Sequence, residues 1–317
     1  MPQIFVFWTV FALLANLAFS KLCGELNIPL PLESCESTFC SCYCLNHTHA
    51  YVAYYGEFGY ELILHLPYAY YLQHEGWVVK SFGPTGTRPL YYFSSEHVEH
   101  GSKRFVCGGS PAHSNLHPNL FNFSQWRAPP FSEVYRHLET VYDKPLLMIH
   151  NKYTEEWGGP PANFIDASTL NTLLRLLTDR YKVIYVRPGI YKTADIVDDG
   201  QIEHMNRHIG ALDDISVLKA HPSVSVFQDL LKSTPHTSWN ELQMRLHANC
   251  RHKISVQGGS SILSSFFPGI NLIYAVKGSE MFDKQYDFRW YPRLGNATTV
   301  PVHTYKLLIS AAQELFL

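Results

Sequence analysis

The stretch Gln257-Gly258-Gly259-Ser260-Ser261 combines residue types that can bind a phosphate or a diphosphate. Two glycines let a ligand approach the backbone closely, and two hydroxyl groups follow at once. If a helix begins at the serines, its free N–H groups and its positive dipole end lie at the same place. A strand-to-helix turn with a serine cap and no ligand explains the same residues. The spacing fits neither the dinucleotide motif G-x-G-x-x-G nor the nucleophile motif G-x-S-x-G.

Two cations, Lys152 and Arg187, follow other strand candidates in the same half of the chain. Lys152 comes after the apolar run Leu146–Ile149, together with His150, and Arg187 comes directly after Lys182–Val186. Because the carboxyl ends of parallel strands lie on one rim of a sheet, these residues should gather beside the glycine–serine turn. Two cations at such a turn would make a diphosphate site. A solvated loop charge for Lys152 and a structural ion pair for Arg187 are the alternatives.

A carboxylate that could serve as a base lies in the first half. Gly56-Glu57-Phe58-Gly59 follows the strand candidate Tyr51–Tyr55 and precedes a predicted helix that reaches about Glu75. Glu57 would lie in the crevice at the end of the strand, which makes it the candidate general base. Glu61 would fall in the first helical turn, where an acid favours the helix dipole.

The elements around these residues alternate between strands and helices, which is typical of a parallel α/β sheet. Ile254–Val256 and Asn271–Tyr274 are predicted strands that flank a helix ending at Phe267. Ser238–Cys250 is a predicted helix with a capping box at its start. A buried helix face is predicted by four leucines at helical spacing, Leu170, Leu173, Leu174 and Leu177.

This order predicts an α/β fold of two Rossmann-like domains that face each other across a cleft. The expected domains are 49–144 and 145–301, followed by a C-terminal helix over 302–317. The long segment Gly108–Phe131, rich in Pro, Asn and His, suggests a lid or a binding loop. With 317 residues, 46% of them hydrophobic, the chain is long enough for one large core or two of moderate size.

Composition narrows the class of partner. The formal net charge of -2 argues against a nucleic-acid partner. None of the 17 histidines belongs to the metal motif H-E-x-x-H. We therefore expect no metal and no nucleic acid.

The start of the chain predicts a secreted or lumenal protein. Residues 1–20 contain the apolar run Ile4–Phe19 and small residues suited to cleavage, so we predict a signal peptide. An uncleaved anchor is the alternative, and only that anchor would bring the chain to a membrane. Asn46, Asn122 and Asn296 each begin a glycosylation triplet.

Five of the seven cysteines lie within the segment 21–48, namely Cys23, Cys35, Cys40, Cys42 and Cys44, while Cys107 and Cys250 are distant. In an oxidising compartment this segment predicts a disulfide knot whose connectivity the spacing leaves open. Because seven is odd, at least one thiol is free or pairs between chains.

With these residues assembled, the chain resembles glycosyltransferases of the GT-B fold. The resemblance covers most of residues 50–280, excludes the cysteine-rich start, and is carried by five segments: Gly56–Leu62, Ile149–Gly158, Tyr185–Pro188, Trp239–Gln243 and Val256–Ser261. It implies that the second domain binds a nucleotide sugar and that the acceptor approaches from the first domain. The implied donor-binding residues are Lys152, Arg187, Gln257, Gly258, Gly259, Ser260 and Ser261, and the implied acceptor or cleft residues are Gly56, Gly59 and His150.

We therefore expect a glycosyltransferase of the secretory pathway that moves a sugar from a nucleotide-sugar donor to a glycan or glycoprotein acceptor. Since no Asp-x-Asp motif occurs, the donor charge would be neutralised by cations and not by a metal, and no cofactor beyond the donor substrate is expected. A secreted, non-catalytic sugar-binding protein with the same fold is the alternative. A hydrolase using Ser260 or Ser261 would need a nucleophile elbow that the sequence lacks.

Overall fold

A computed structural model describes residues 35–37, 41–46, 48–101, 104, 123–136, 142–154, 156, 159–191, 212–278 and 290–317. The predicted leader, Cys23, Cys40, Cys107, Asn122 and most of the loop 108–131 lie outside the described residues. The described residues divide into two compact units, and the chain passes from the first to the second between Arg127 and Ala128.

The first unit contains a five-stranded sheet of mixed direction. Its strands follow chain order in space: β1 (Cys35–Ser37), β2 (Ser41–Asn46), β3 (His49–Tyr54), β4 (Val78–Gly83) and β5 (Glu96–Glu99). β1, β2 and β3 are antiparallel neighbours, whereas β3, β4 and β5 are parallel. The two described segments of the cysteine-rich stretch, β1 and β2, are thus part of this sheet and do not precede it, and Cys35 lies opposite Cys44. Only the β3–β5 part has the parallel pairing of the expected Rossmann-like domain.

One helical stretch connects β3 to β4. It runs through α1 (Phe58–Tyr60), a π-helical segment (Glu61–His65) and α2 (Leu66–His74). The stretch ends at Gly76, whose φ of +93° is the left-handed conformation common after helix C-termini. Strand β4 then begins, so the crossover places the carboxyl end of β3 directly before α1.

The second unit contains a six-stranded parallel sheet. Its strands are β6 (Leu146–His150), β7 (Lys182–Val186), β8 (Ser225–Val226), β9 (His252–Val256), β10 (Gly269–Tyr274) and β11 (Ala297–Val302). Their spatial order is β11-β10-β9-β6-β7-β8, and every neighbouring pair is parallel. The chain therefore builds outward from β6 to β8, returns to the other side of β6, and builds outward again. This is the doubly wound order of Rossmann folds.

Eight helices are described in the second unit: α3 (Phe131–Tyr135), α4 (Ala167–Leu177), α5 (Asp214–Lys219), α6 (Phe227–Ser233), α7 (Trp239–Ala248), α8 (Gly259–Ser265), α9 (Tyr291–Leu294) and α10 (Tyr305–Phe316). The predicted cap of α7 is confirmed, since Ser238 Oγ accepts a hydrogen bond from the Glu241 N–H at 3.2 Å. None of the described helices has the length and apolar character needed to cross a membrane.

Two of the predicted domain boundaries, at residues 145 and 302, differ from those in the structure. α3 belongs to the second unit because Phe131 is fully buried against Phe266 and Phe267, with ring centroids 5.1 and 6.2 Å apart, so the second unit starts before residue 145. At the other end, residues 302–317 are not a separate helix. Val302 ends β11, and α10 covers the same face of the sheet as α4.

The core of the second unit follows the alternation of its strands. Leu147 and Ile149 of β6 point to the face covered by α4 and α10, whereas Leu146 and Met148 point to the face covered by α6 and α7. All four leucines of the predicted α4 face are fully buried, which confirms that face. A strand buried on both sides cannot shift without loss of packing on both faces, so the end of β6 is a rigid support.

Candidate functional site

The carboxyl ends of β6 and β9 form the topological switch point of the second unit. These neighbouring strands send the chain in opposite directions, β6 toward β7 and β9 toward β10. Open α/β sheets bind ligands in the crevice that opens at such a point. Asn151 and Lys152 follow β6, and Gln257 and Gly258 follow β9, so the structure brings two of the predicted segments together.

Gly258 is the residue at which the backbone turns. Its φ of +127° and ψ of −162° are a conformation that residues with a side chain rarely adopt. A Cβ atom at this position would lie 3.1 Å from Lys152 Nζ, so the ammonium group lies directly against the turn. Gly259 has no positive φ and starts α8, and Gly259 and Ser260 are both half-buried.

Lys152 forms an ion pair with Glu156, four residues further along the chain. The Lys152 side chain keeps 25% of its surface exposed, whereas Glu156 keeps 7%. Glu156 Oε2 accepts hydrogen bonds from Asn163 N at 3.1 Å and Nδ2 at 2.9 Å. Asn163 Oδ1 in turn accepts from the N–H groups of Val276 and Lys277, at 2.8 and 3.1 Å. These hydrogen bonds connect the loop that follows β6 to the loop that follows β10, next to the Lys152 ammonium group.

Ser261 supports the turn from inside. It is fully buried, and its Oγ donates to Gly258 O at 2.8 Å and lies 2.9 Å from Tyr291 Oη. Asn271 Nδ2 donates to Ser261 O at 3.0 Å, while Asn271 Oδ1 accepts from Ser255 Oγ at 2.8 Å. α8 is thus attached to the sheet by hydrogen bonds, and Ser261 is a support of the turn and not the ligand-facing hydroxyl that we expected.

Arg187 also differs from the expectation. Arg187 is 2% exposed. Its guanidinium group forms a bidentate ion pair with Asp214, in which Nη2 donates to Oδ1 at 2.8 Å and Nε contacts Oδ2. Tyr185 Oη donates to the same carboxylate at 2.7 Å, and the Arg187 carbonyl accepts from Gln228 Nε2 at 2.7 Å. The structural ion pair therefore replaces the expected diphosphate contact. Asp214 lies 27 residues further along, so no local pattern indicated it.

Gln257 and His150 are buried and do not face solvent. The Gln257 side chain is 1% exposed, and its backbone N–H donates to Tyr274 O at 3.0 Å. The His150 ring stacks on His247 with centroids 4.8 Å apart, and His247 stacks on Phe267. None of the four ring nitrogens of the two histidines has a hydrogen-bond partner among the described residues. His150 is thus a core residue and not the cleft residue we expected.

Burial sets the charge of these two histidines. It lowers the pKa of His150 to about 3, with a smaller contribution from the nearby Lys253 charge. It also lowers the pKa of His247 well below the ordinary range, helped by His150 and Lys253. Both rings are neutral at pH 7, which is what a stack without hydrogen-bond partners requires.

In the first unit, Glu57 is an exposed residue on a tightly held turn. Tyr54 Oη donates to Glu57 O at 3.1 Å, and Arg104 Nη1 donates to Gly56 O at 3.0 Å. A Cβ atom at Gly56 would lie 2.4 Å from Tyr54 Oη, so glycine is required where the backbone passes the ring. Gly59, half-buried in α1, follows the turn. The turn therefore presents Glu57 from a fixed backbone.

Glu61 has a role that its sequence position did not indicate. It is fully buried, and its carboxylate accepts from Arg104 Nη2 at 2.6 Å and from Tyr91 Oη at 2.8 Å. Burial and the Glu61 charge together raise the Tyr91 pKa well above its ordinary value, so the phenol stays protonated as a donor. Arg104 joins Glu61 to the Gly56 carbonyl and holds both ends of the turn.

Three residues that hold Lys152 and the Glu57 turn were not predicted from the sequence, namely Glu156, Asn163 and Arg104. Glu156 belongs to a segment that carried the resemblance, but its spacing suggested no role. Within the described ranges, no group of three or more His, Cys, Asp or Glu side chains could hold a metal ion. Cys250 is a buried free thiol, and Asn296 of the third glycosylation triplet is exposed.

Comparison with known proteins gives one similar solved structure to report. No protein-family model and no curated protein matches the chain. The chain is similar to a structure described as E. coli ADP-heptose LPS heptosyltransferase II, with 12% sequence identity and a TM-score of 0.46. The similarity covers 82% of this chain and 96% of that one.

Proposed function

We propose that the protein is a glycosyltransferase that moves a sugar from a nucleotide-sugar donor to a glycan or glycoprotein acceptor. The observation that carries this proposal is the position of the Lys152 ammonium group beside the Gly258 turn, at the switch point of the parallel sheet. Open α/β sheets bind ligands at that point, and a lysine ammonium is a common partner of phosphate oxygens. A nucleoside diphosphate ester presents such oxygens.

The proposed reaction is a displacement at the anomeric carbon of the donor sugar. The acceptor hydroxyl oxygen forms a bond to the anomeric carbon of the sugar, and its proton passes to a base. The bond from that carbon to the diphosphate oxygen breaks, and its electron pair stays on the oxygen. The leaving group gains one negative charge, which Lys152 stabilises in place of a metal ion. Glu57 is the proposed base, because its turn is fixed by Tyr54 and Arg104 and its carboxylate is exposed.

A thermal-shift screen tests the donor site. The panel contains ADP, GDP and UDP with ADP-glucose, GDP-mannose and UDP-glucose, each at high concentration. A ligand at a hundred times its Kd should add about 2.7 kcal/mol to the free energy of unfolding. If no nucleotide raises the Tm of the folded protein, the donor site is refuted.

A transfer assay then follows release of the nucleoside diphosphate, with and without EDTA. We expect turnover in both conditions, because Lys152 supplies the positive charge. Loss of activity with EDTA and its return with Mn²⁺ would contradict the metal-independent mechanism. A donor that binds without any turnover would indicate the non-catalytic sugar-binding alternative.

We also propose that the protein is located in the secretory pathway lumen or is secreted after cleavage of residues 1–20. The exposed Asn296 is an accessible acceptor for a glycan. Expression in eukaryotic cells should give a chain that begins near Lys21 and loses mass after N-glycosidase treatment. An intact N-terminus without a glycan would contradict the assignment.

A further inference from the structure

The cation at the switch point carries a built-in counter-charge. Lys152 is paired with Glu156, and Glu156 is held by two hydrogen bonds from Asn163. Asn163 is itself fixed by the backbone after β10 and is fully buried. The carboxylate therefore cannot swing away when an anion arrives. A diphosphate that contacts Lys152 must share the ammonium group with Glu156.

The fixed Glu156 carboxylate acts differently on the nucleotide-sugar donor and on the nucleoside diphosphate product. The diphosphate of a nucleotide sugar has both phosphorus groups esterified and carries two negative charges. After transfer, the terminal phosphate of the nucleoside diphosphate has a second ionisation with a pKa of about 6, so it carries nearly one more charge at pH 7. Like charges repel, so Glu156 opposes the product more than the donor.

We propose that Glu156 is a specificity-determining residue, which lowers the affinity of the Lys152 site for the nucleoside diphosphate product relative to the nucleotide-sugar donor. The inference rests on the proposed function. Product release limits turnover in many enzymes, and a carboxylate that repels the departing diphosphate speeds that step. Donor binding loses less, because the donor carries the smaller charge.

The experiment measures the Kd of a nucleoside diphosphate and of its sugar ester by calorimetry, using the pair that the wild-type protein binds from the screening panel. In Glu156→Gln both ligands should bind more tightly, and the diphosphate should gain about threefold to tenfold more than the ester. Product inhibition in the transfer assay should strengthen by the same ratio. Equal gains, or weaker binding of the diphosphate, would overturn the proposal.

A matched control is available in the same unit. Glu241 forms an ion pair with Arg245 four residues along, at 2.5 Å, with 29% of its side chain exposed. Glu241→Gln removes the same charge from the same kind of pair on α7. The ratio of the two Kd values should stay at the wild-type value in this variant. A ratio that moved as it does in Glu156→Gln would show an effect of net charge alone.

A second pair of variants covers the case in which Glu156→Gln alone does not fold because Lys152 has lost its counter-charge. Lys152→Gln leaves Glu156 without its cation, so both ligands should bind more weakly and the diphosphate more so. Addition of Glu156→Gln to that variant should recover diphosphate binding more than ester binding. Absence of this recovery would overturn the role of Glu156. If the wild-type protein binds neither ligand, the proposed function itself fails, which is a different result from binding without a shift in the ratio.

Discussion

The Gly258→Ala substitution tests whether the close approach of the Gly258 turn to Lys152 is needed for ligand binding. Gly258 has a φ of +127°, and an alanine held there costs about 1–3 kcal/mol in backbone strain. The added Cβ would lie 3.1 Å from Lys152 Nζ, so the ammonium group must move by some tenths of an ångström. Loss of one hydrogen bond from a charged donor costs about 1.5–3 kcal/mol, which corresponds to roughly tenfold to hundredfold in Kd.

The assay separates folding from binding. Urea unfolding gives the loss of stability, and calorimetry on the folded variant gives the Kd of the nucleoside diphosphate. Gly76→Ala is the matched control, because Gly76 has a φ of +93° and no atom lies within 4 Å of the added Cβ. It should lose similar stability and bind normally. Gly259→Ala, at a position without positive φ, should cost less than either. A folded Gly258→Ala protein that binds like the wild type would refute the reasoning.

Three further outcomes are expected. Glu57→Gln should abolish transfer while donor Kd stays unchanged, as kinetics and calorimetry would show, and retained transfer would remove Glu57 as the base. Burial lowers the pKa of His150 to about 3, against 6.5 in the unfolded chain, so below pH 6.5 the unfolded chain binds a proton that the folded protein does not. The free energy of unfolding is therefore highest above pH 6.5 and decreases as the pH falls toward 3. Urea unfolding at pH 7 and pH 5 should show a decrease on the order of 2 kcal/mol from this residue. His247→Phe keeps an aromatic ring but removes the second buried imidazole, so the total decrease should be smaller in that variant; an unchanged decrease would contradict the neutral stack. Asp214→Ala should cost about 3–5 kcal/mol, measured by urea unfolding, because it leaves Arg187 buried without its counter-charge; a loss below 1 kcal/mol would contradict this.

Much of the second unit could be predicted because its signals are local. The strand, glycine turn, helix and strand around Gly258 appear in the structure as β9, α8 and β10. The leucine spacing of α4 and the cap at Ser238 are likewise set within one or two helical turns. Short-range spacing and turn chemistry decide such features, so one sequence contains enough information to place them.

The chemistry of individual polar residues could not be predicted in the same way, since it depends on partners far along the chain. Arg187 pairs with Asp214, and Glu61 pairs with Arg104, which is 43 residues away. A buried charge must be paired, but sequence spacing does not reveal the partner. Glu156 escaped notice for the same reason, because its importance comes from contacts with Asn163.

The β5 and β11 strands were also missed. β11 contains Thr298, Thr299 and Pro301, and it lies at the edge of its sheet, where a proline is tolerated and strand signals are weak. The predicted C-terminal helix over 302–317 included Val302, which is the last residue of β11. Edge elements are decided by their neighbours more than by their own residues, so the ends of both sheets were the least predictable part of the fold.

The strand order of the second unit has a consequence for the growing chain during synthesis. β6 is one of the two central strands, and its neighbour on one side is β9, where Leu147 pairs with His252. While the ribosome makes the intervening hundred or so residues, β6 can pair with β7 but leaves its other edge open. An open apolar edge is a template for association with other chains. The crevice that can hold a ligand in the finished protein thus lies at a strand pairing that cannot form until β9 has been made.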